Sequence, residues 1–134
     1  MRQRLRSHLT FANLMVTLVA LIGLVVLVAG ASGSSEARGG SYKGKTDQDM
    51  SVSFKVKHDK VKNPEVAINF GYGCIGTINI SGSDKINDAG KFKLVEGTTI
   101  FKGKFLSKSK VKGEASGEKA NCGSKAVSYK AHHQ

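Results

Sequence analysis

From Ser41 onward, apolar and polar residues alternate. Met50, Val52, Phe54 and Val56 fall on one side of the chain, and Ser51, Ser53, Lys55 and Lys57 on the other. A period of two belongs to a strand with one buried face. An amphipathic helix would repeat its apolar positions about every 3.6 residues. The same alternation returns in Val66, Ile68 and Phe70, in Ile78 and Ile80, in Phe101, Gly103 and Phe105, and in Val127, Tyr129 and Ala131. Composition agrees. Beyond residue 40, Val, Ile and Thr number 17, whereas Leu occurs only as Leu94 and Leu106. Side chains branched at Cβ suit a pleated surface better than a helix.

Turn-forming clusters separate these runs: Asp47-Gln48-Asp49, His58-Asp59, Ser81 to Asp84, Asn87 to Gly90, Glu96-Gly97, Ser107 to Ser109, and Ser116 to Ser124. They predict about eight short strands, near 41–46, 50–57, 60–63, 66–70, 74–80, 91–95, 99–106 and 109–115, with 125–131 a candidate ninth. Pro64 lacks an amide proton and should interrupt pairing, at a strand end or on an edge. Short turns between consecutive strands make an antiparallel meander. To cover its edges the meander must become a β-sandwich or a flattened barrel, an all-β fold preceded by one N-terminal hydrophobic helix.

That helix is expected in the first 31 residues. Arg2, Arg4 and Arg6 form a positive opening, and an apolar stretch follows from Phe11 to Ala31. The pattern is an export leader. Ala29-Gly30-Ala31 and Ser35-Glu36-Ala37 place small residues where a signal peptidase cuts. The apolar stretch is nevertheless near the ~20 residues that span a bilayer. Residues 1–31 thus read equally as a cleaved signal peptide or as a single transmembrane anchor contacting the membrane through 11–31. Either way the rest of the chain lies outside the cytoplasmic membrane, secreted or tethered to its outer face. Residues 32–40 (SGSSEARGG) read as a flexible linker, 41–131 as the extracytoplasmic β domain, and 132–134 as a tail.

The two cysteines, Cys74 and Cys122, both fall in the exported part. In an oxidising compartment such a pair reads as a disulfide. Closing the loop between them would stabilise the fold by about 4 kcal/mol on the chain-entropy model.

The chain carries 21 basic and 10 acidic side chains, a net charge of +11. After the leader the basic residues are all Lys except Arg38. Lys55, Lys57, Lys102, Lys104, Lys108, Lys110 and Lys112 lie at or near outward positions of predicted hairpins and are the candidate contacts for an anionic polymer. Nucleic acid is disfavoured as a partner: arginine is nearly absent and there is no Trp for stacking. A weak echo links Tyr42-Lys43-Gly44-Lys45, Phe101-Lys102-Gly103-Lys104 and Val111-Lys112-Gly113, each reading as a strand with Gly at a tight, inward-facing bend.

Catalytic and metal signals are weak. His58 sits beside Asp59 in a predicted turn, with no Ser in a nucleophile-elbow context. His132-His133 lies at a terminus expected to fray. Asp47 and Asp49 lack the further oxygen ligands of a calcium loop. The Gly71 to Gly76 segment lacks the Lys-Ser/Thr ending of a phosphate loop. The expectation is a monomer that is not an enzyme and carries no cofactor or metal.

With GSYKGKTDQDMSVSFKV, Cys74, FKGKF and the late CGSKAVSYKA in view, residues 40–131 resemble small exported bacterial β-domains of unknown function. Those have a leader, a linker, a G-x-Y-x-G-x-T-x-Q opening and two cysteines. The resemblance implies fold and export and supplies no activity; this chain departs from it in lysine density. The leading functional expectation is a cell-surface binding or structural module whose lysine-rich faces hold anionic envelope polymers. The alternative is a β-barrel carrying a small ligand among inward Phe54, Phe70, Phe101 and Phe105.

Overall fold

A computed structural model describes residues 36–134. The expected leader helix, and with it the choice between signal peptide and anchor, lies outside the described residues. The described part is all-β, one curled half-barrel sheet of nine antiparallel strands. The strands are β1 (Gly40–Thr46), β2 (Ser51–Lys57), β3 (Lys60–Asn69), β4 (Ile75–Asn79), β5 (Ser83–Lys85), β6 (Lys91–Glu96), β7 (Thr99–Phe105), β8 (Lys110–Lys119) and β9 (Gly123–His133). The sheet runs β4-β3-β2-β1-β9-β8-β7-β6, with β5 paired to β3 beside that path. Most neighbours are hairpin partners. The exception is β1 against β9, which brings the two ends of the domain together.

The alternation places its apolar residues inside. Val52, Phe54 and Val56 of β2, Phe101 and Phe105 of β7, and Val127, Tyr129 and Ala131 of β9 are all buried. Met50 is the exception, half-buried in the turn ahead of β2. Aromatic rings fill the centre. Tyr42 stacks on Phe54 at 5.1 Å and Phe101 on Tyr129 at 4.9 Å, and Phe92 meets Phe54, Phe101 and Phe105 within 6.0 Å. Such contacts add to simple burial through the ring quadrupoles.

Four expectations are corrected. Pro64 does not interrupt β3. The β2–β3 register shifts between Ser53 and Lys55, so Phe54 faces Asn63 and Pro64 together. This is a β-bulge. Asn63 takes the left-handed conformation (φ 50°), and a proline is tolerated where the ladder already lacks a bond. The 81–84 cluster overlaps β5, which is wholly polar and so gave no alternation signal. The Asp84 carboxylate on β5 accepts the Lys93 amide at 2.8 Å, covering part of the β6 edge. The loop expected over 116–124 shrinks to residues 120–122, because β8 and β9 are longer than the apolar pattern suggested. His132 and His133 do not form a tail; they close β9 opposite Lys43 and Tyr42.

His58 and Asp59 both have positive φ (53° and 58°), the geometry of a two-residue hairpin turn. The disulfide is present. Cys74, just before β4, is joined to Cys122 in the β8–β9 turn, with Cα atoms 6.2 Å apart. It holds β4, at one end of the sheet, against the β8–β9 hairpin. Two contacts reinforce this curl. Lys119 Nζ donates to the Ile75 carbonyl at 2.6 Å, and Gly117 leaves room for Ile78, whose Cγ2 would lie 2.7 Å from an added Cβ.

Candidate functional site

Tyr129 is the pivot of the site. Its ring lies on the inner face of the sheet, opposite Thr46 on β1 and Gly113 on β8; Gly113 in turn opposes Gly103 on β7, and Gly103 opposes Phe92 on β6. The two glycines make space for the rings. A Cβ on Gly103 would stand 2.6 Å from Tyr129 Oη and 2.7 Å from Phe92 Cζ; one on Gly113 would be 2.7 Å from Tyr129 Oη and would strike the Lys102 carbonyl. The Tyr129 hydroxyl donates to the Lys102 carbonyl at 3.1 Å. Burial pushes its phenol far above the ordinary value, so it stays neutral. Tyr42 is held likewise, its phenol raised by burial, partly offset by the Arg38 charge. Its hydroxyl donates toward the carbonyls of Arg38 (2.6 Å) and Lys108 (2.9 Å).

One residue from this inner row, the chain faces outward, and there the lysines align. Lys45 of β1 opposes Lys130 of β9, Lys130 opposes Lys112 of β8, Lys112 opposes Lys104 of β7, and Lys104 opposes Lys91 of β6. Five lysines thus stand in direct cross-strand register. Strands lie about 4.8 Å apart, so the Cα row spans about 19 Å over its four steps. Like charges directly opposite are destabilising. An ordinary soluble surface would intersperse acids.

This row lies in an open groove of about 1220 Å³, to which Lys85, Lys93 and Lys102 also contribute. Against these eight lysines stand three carboxylates, Asp47, Asp84 and Glu114. Two of the three are already engaged. Glu114 pairs with Lys102 at 3.3 Å, and Asp84 holds the Lys93 amide. Lys45 lies 3.9 Å from Asp49 at the end of the row. Among the described residues, Lys91, Lys104, Lys112 and Lys130 make no ion pair. Gly103 and Gly113 contribute bare backbone to the lining.

Of the lysines singled out in the sequence, the structure brings Lys102, Lys104 and Lys112 into the groove. Lys55 and Lys57 lie on β2, opposite Lys62 and Lys60. Lys110 faces His132, and Lys108 sits in the β7–β8 turn, where its carbonyl receives the Arg38 amide at 2.8 Å. Sequence reasoning missed Lys45, Lys85, Lys91, Lys93 and Lys130. The echo of Lys-Gly-Lys on β1 and β7 and Lys-Gly on β8 was the available signal. It marks Gly103 and Gly113, which pair directly, and the Lys104 and Lys112 that flank them.

The histidines are dispersed. His58 is exposed in its turn, His132 is exposed on β9, and His133 Nε2 lies 2.9 Å from the Gly39 carbonyl with its ring edge-on to Tyr42. Fold and groove together define a small all-β domain that presents a lysine-lined outer surface over an aromatic core. No protein-family model, curated protein or solved structure matches the chain, so its functional reading rests on geometry and charge.

Proposed function

We propose that this domain is a non-enzymatic binding module that holds linear anionic polymers of the cell envelope in the lysine groove, outside the cytoplasmic membrane. The observation that carries the reading is the five-lysine row of Lys45, Lys130, Lys112, Lys104 and Lys91. A row of like charges, four of the five without an ion pair among the described residues, is unfavourable in the free protein and becomes favourable when a polyanion lies along it. The extracytoplasmic placement is supported by the leader pattern and by the Cys74–Cys122 disulfide. The module acts as a monomer, with 11–31 as its membrane contact wherever the leader is retained. Nucleic acid is disfavoured because the groove contains neither an arginine nor an exposed aromatic ring.

The small-ligand barrel finds less support. It needs an interior cavity, and in the aromatic centre Phe54 packs on Phe101 while Phe105 packs on Tyr42 and Phe92. The test is fluorescence anisotropy of labelled polyphosphate and polyuronate titrated with the domain over a salt series. Binding should weaken steeply with salt, since exposed charges are screened within about 10 Å at 0.1 M. Salt-insensitive binding, or none at low salt, refutes the reading.

A further inference from the structure

Resting on the polyanion reading above, we infer that the groove takes a flexible, base-free phosphodiester chain laid across the strands, one phosphate to each lysine of the row. The direction follows from register. The aligned charges run along the hydrogen-bonding direction, from β1 through β9, β8 and β7 to β6. Parallel to a strand, by contrast, the positive run reaches two lysines at most, as in Lys43 and Lys45 of β1, Lys91 and Lys93 of β6, Lys102 and Lys104 of β7 and Lys110 and Lys112 of β8. Along β8, Lys112 is followed on the same face by Glu114; along β9, Lys130 is preceded by Ser128. A chain lying along any one of these strands would meet at most two lysines in succession, against five across them.

Flexibility follows from twist. Adjacent strands rotate by about 20–25°, so a row of five turns through about 80–100°. A stiff rod touches only part of such a row, while a chain with several rotatable bonds per repeat follows it. The anion follows from the donors. The guanidinium fork adds bidentate geometry for carboxylate and phosphate alike, whereas ammonium groups act as point charges with rotatable donors and suit a tetrahedral phosphodiester, which accepts from several directions. The groove offers ammonium groups alone. Lysine stems can also fan apart, so the charge spacing need not equal the strand spacing.

The experiment uses oligo(glycerol phosphate) of graded length, with polyuronate of equal charge as comparator. The proteins are wild type, the groove triple K104Q/K112Q/K130Q and the outer triple K55Q/K57Q/K62Q. Wild-type affinity should rise with each repeat and level off near five phosphates. The slope of log K against log[salt], about 0.7 per phosphate contact for a single-stranded polyanion, should fall by about 2 in the groove triple and hardly change in the outer triple. Should the groove triple not fold, each of its single variants must still lower the slope by about 0.7. Equal losses in both triples, unchanged binding in the groove variants, or tighter binding of polyuronate overturns the inference. Wild type that binds no polyanion at low salt instead overturns the function on which it rests.

Discussion

Lys112 stands between two lysines, with Lys130 on one side and Lys104 on the other, and it has no acidic partner among the described residues. Replacing it by Gln keeps most of its length and removes both like-charge contacts. Cross-strand pairs contribute on the order of 0.2–1 kcal/mol, and exposed ion pairs fall in the lower half of that range. Relief of two such repulsions is therefore worth about 0.4–1 kcal/mol at low ionic strength. For a domain of this size that raises Tm by about 2–8 °C. The assay is thermal unfolding by circular dichroism in dilute buffer and in 1 M NaCl. At 1 M the screening length is about 3 Å, so the gain of Lys112→Gln should vanish. Lys125→Gln is the control for net charge alone, because Lys125 opposes Gly117 and has no lysine across from it. A variant that is less stable than wild type at low salt refutes the argument. So does a gain that survives 1 M salt, or one that Lys125→Gln matches.

Three further outcomes follow from the fold. Reduction of the Cys74–Cys122 disulfide, or Cys74→Ser with Cys122→Ser, should lower unfolding free energy by up to about 4 kcal/mol, measured by urea titration with and without reductant. Gly113→Ala should destabilise by more than about 2 kcal/mol, because the new methyl meets the Lys102 carbonyl and Tyr129 Oη; urea midpoints of this variant and of Gly82→Ala, where an added Cβ has nothing nearer than Ile80 Cγ2 at 3.9 Å, separate crowding from general glycine loss. Tyr129 has its phenol raised in the fold, so its contribution is complete below the ordinary value of 10.0 and is lost as pH rises above it, when only the unfolded chain ionises. Stability should therefore decline above pH 10, and less so in Tyr129→Phe, as followed by denaturant midpoints between pH 8 and about pH 11.

The alternation made the core legible. Val52, Phe54, Val66, Ile68, Phe101 and Phe105 are inside because a strand with one buried face can hide apolar residues only at every second position. What the linear pattern could not carry was pairing. β5 has no apolar residue, so nothing marked Ser83–Lys85 as a strand until β3 provided a partner. Pro64 suggested a break because its missing donor was visible and the compensating bulge at Asn63 was not. The lysines suffered from the same blindness. Lys91 and Lys130 are unremarkable in their own segments, and they join Lys104, Lys112 and Lys45 only through four separate registers. A one-residue slip in any one would have turned a lysine inward or out of line.

The same registers tie the site to the core. Row by row, the inner series Thr46, Tyr129, Gly113, Gly103 and Phe92 adjoins the outer series Lys45, Lys130, Lys112, Lys104 and Lys91, offset by one residue along each strand. Gly103 and Gly113 are small because Tyr129 and Phe92 occupy the space their side chains would need. Fixing those rings fixes the strands, and fixing the strands aligns the lysines. Like charges also face each other at Lys55–Lys62 and along Lys57, Lys60 and Lys85, but only between β1 and β6 does a positive row extend over five strands. A like-charge row of that length, kept at a cost to stability on a sheet whose core follows its local rules, points to what that place does. Here it points to an anion supplied from outside the chain, because the acids of Glu114 and Asp84 are held one row away by Lys102 and by the Lys93 amide.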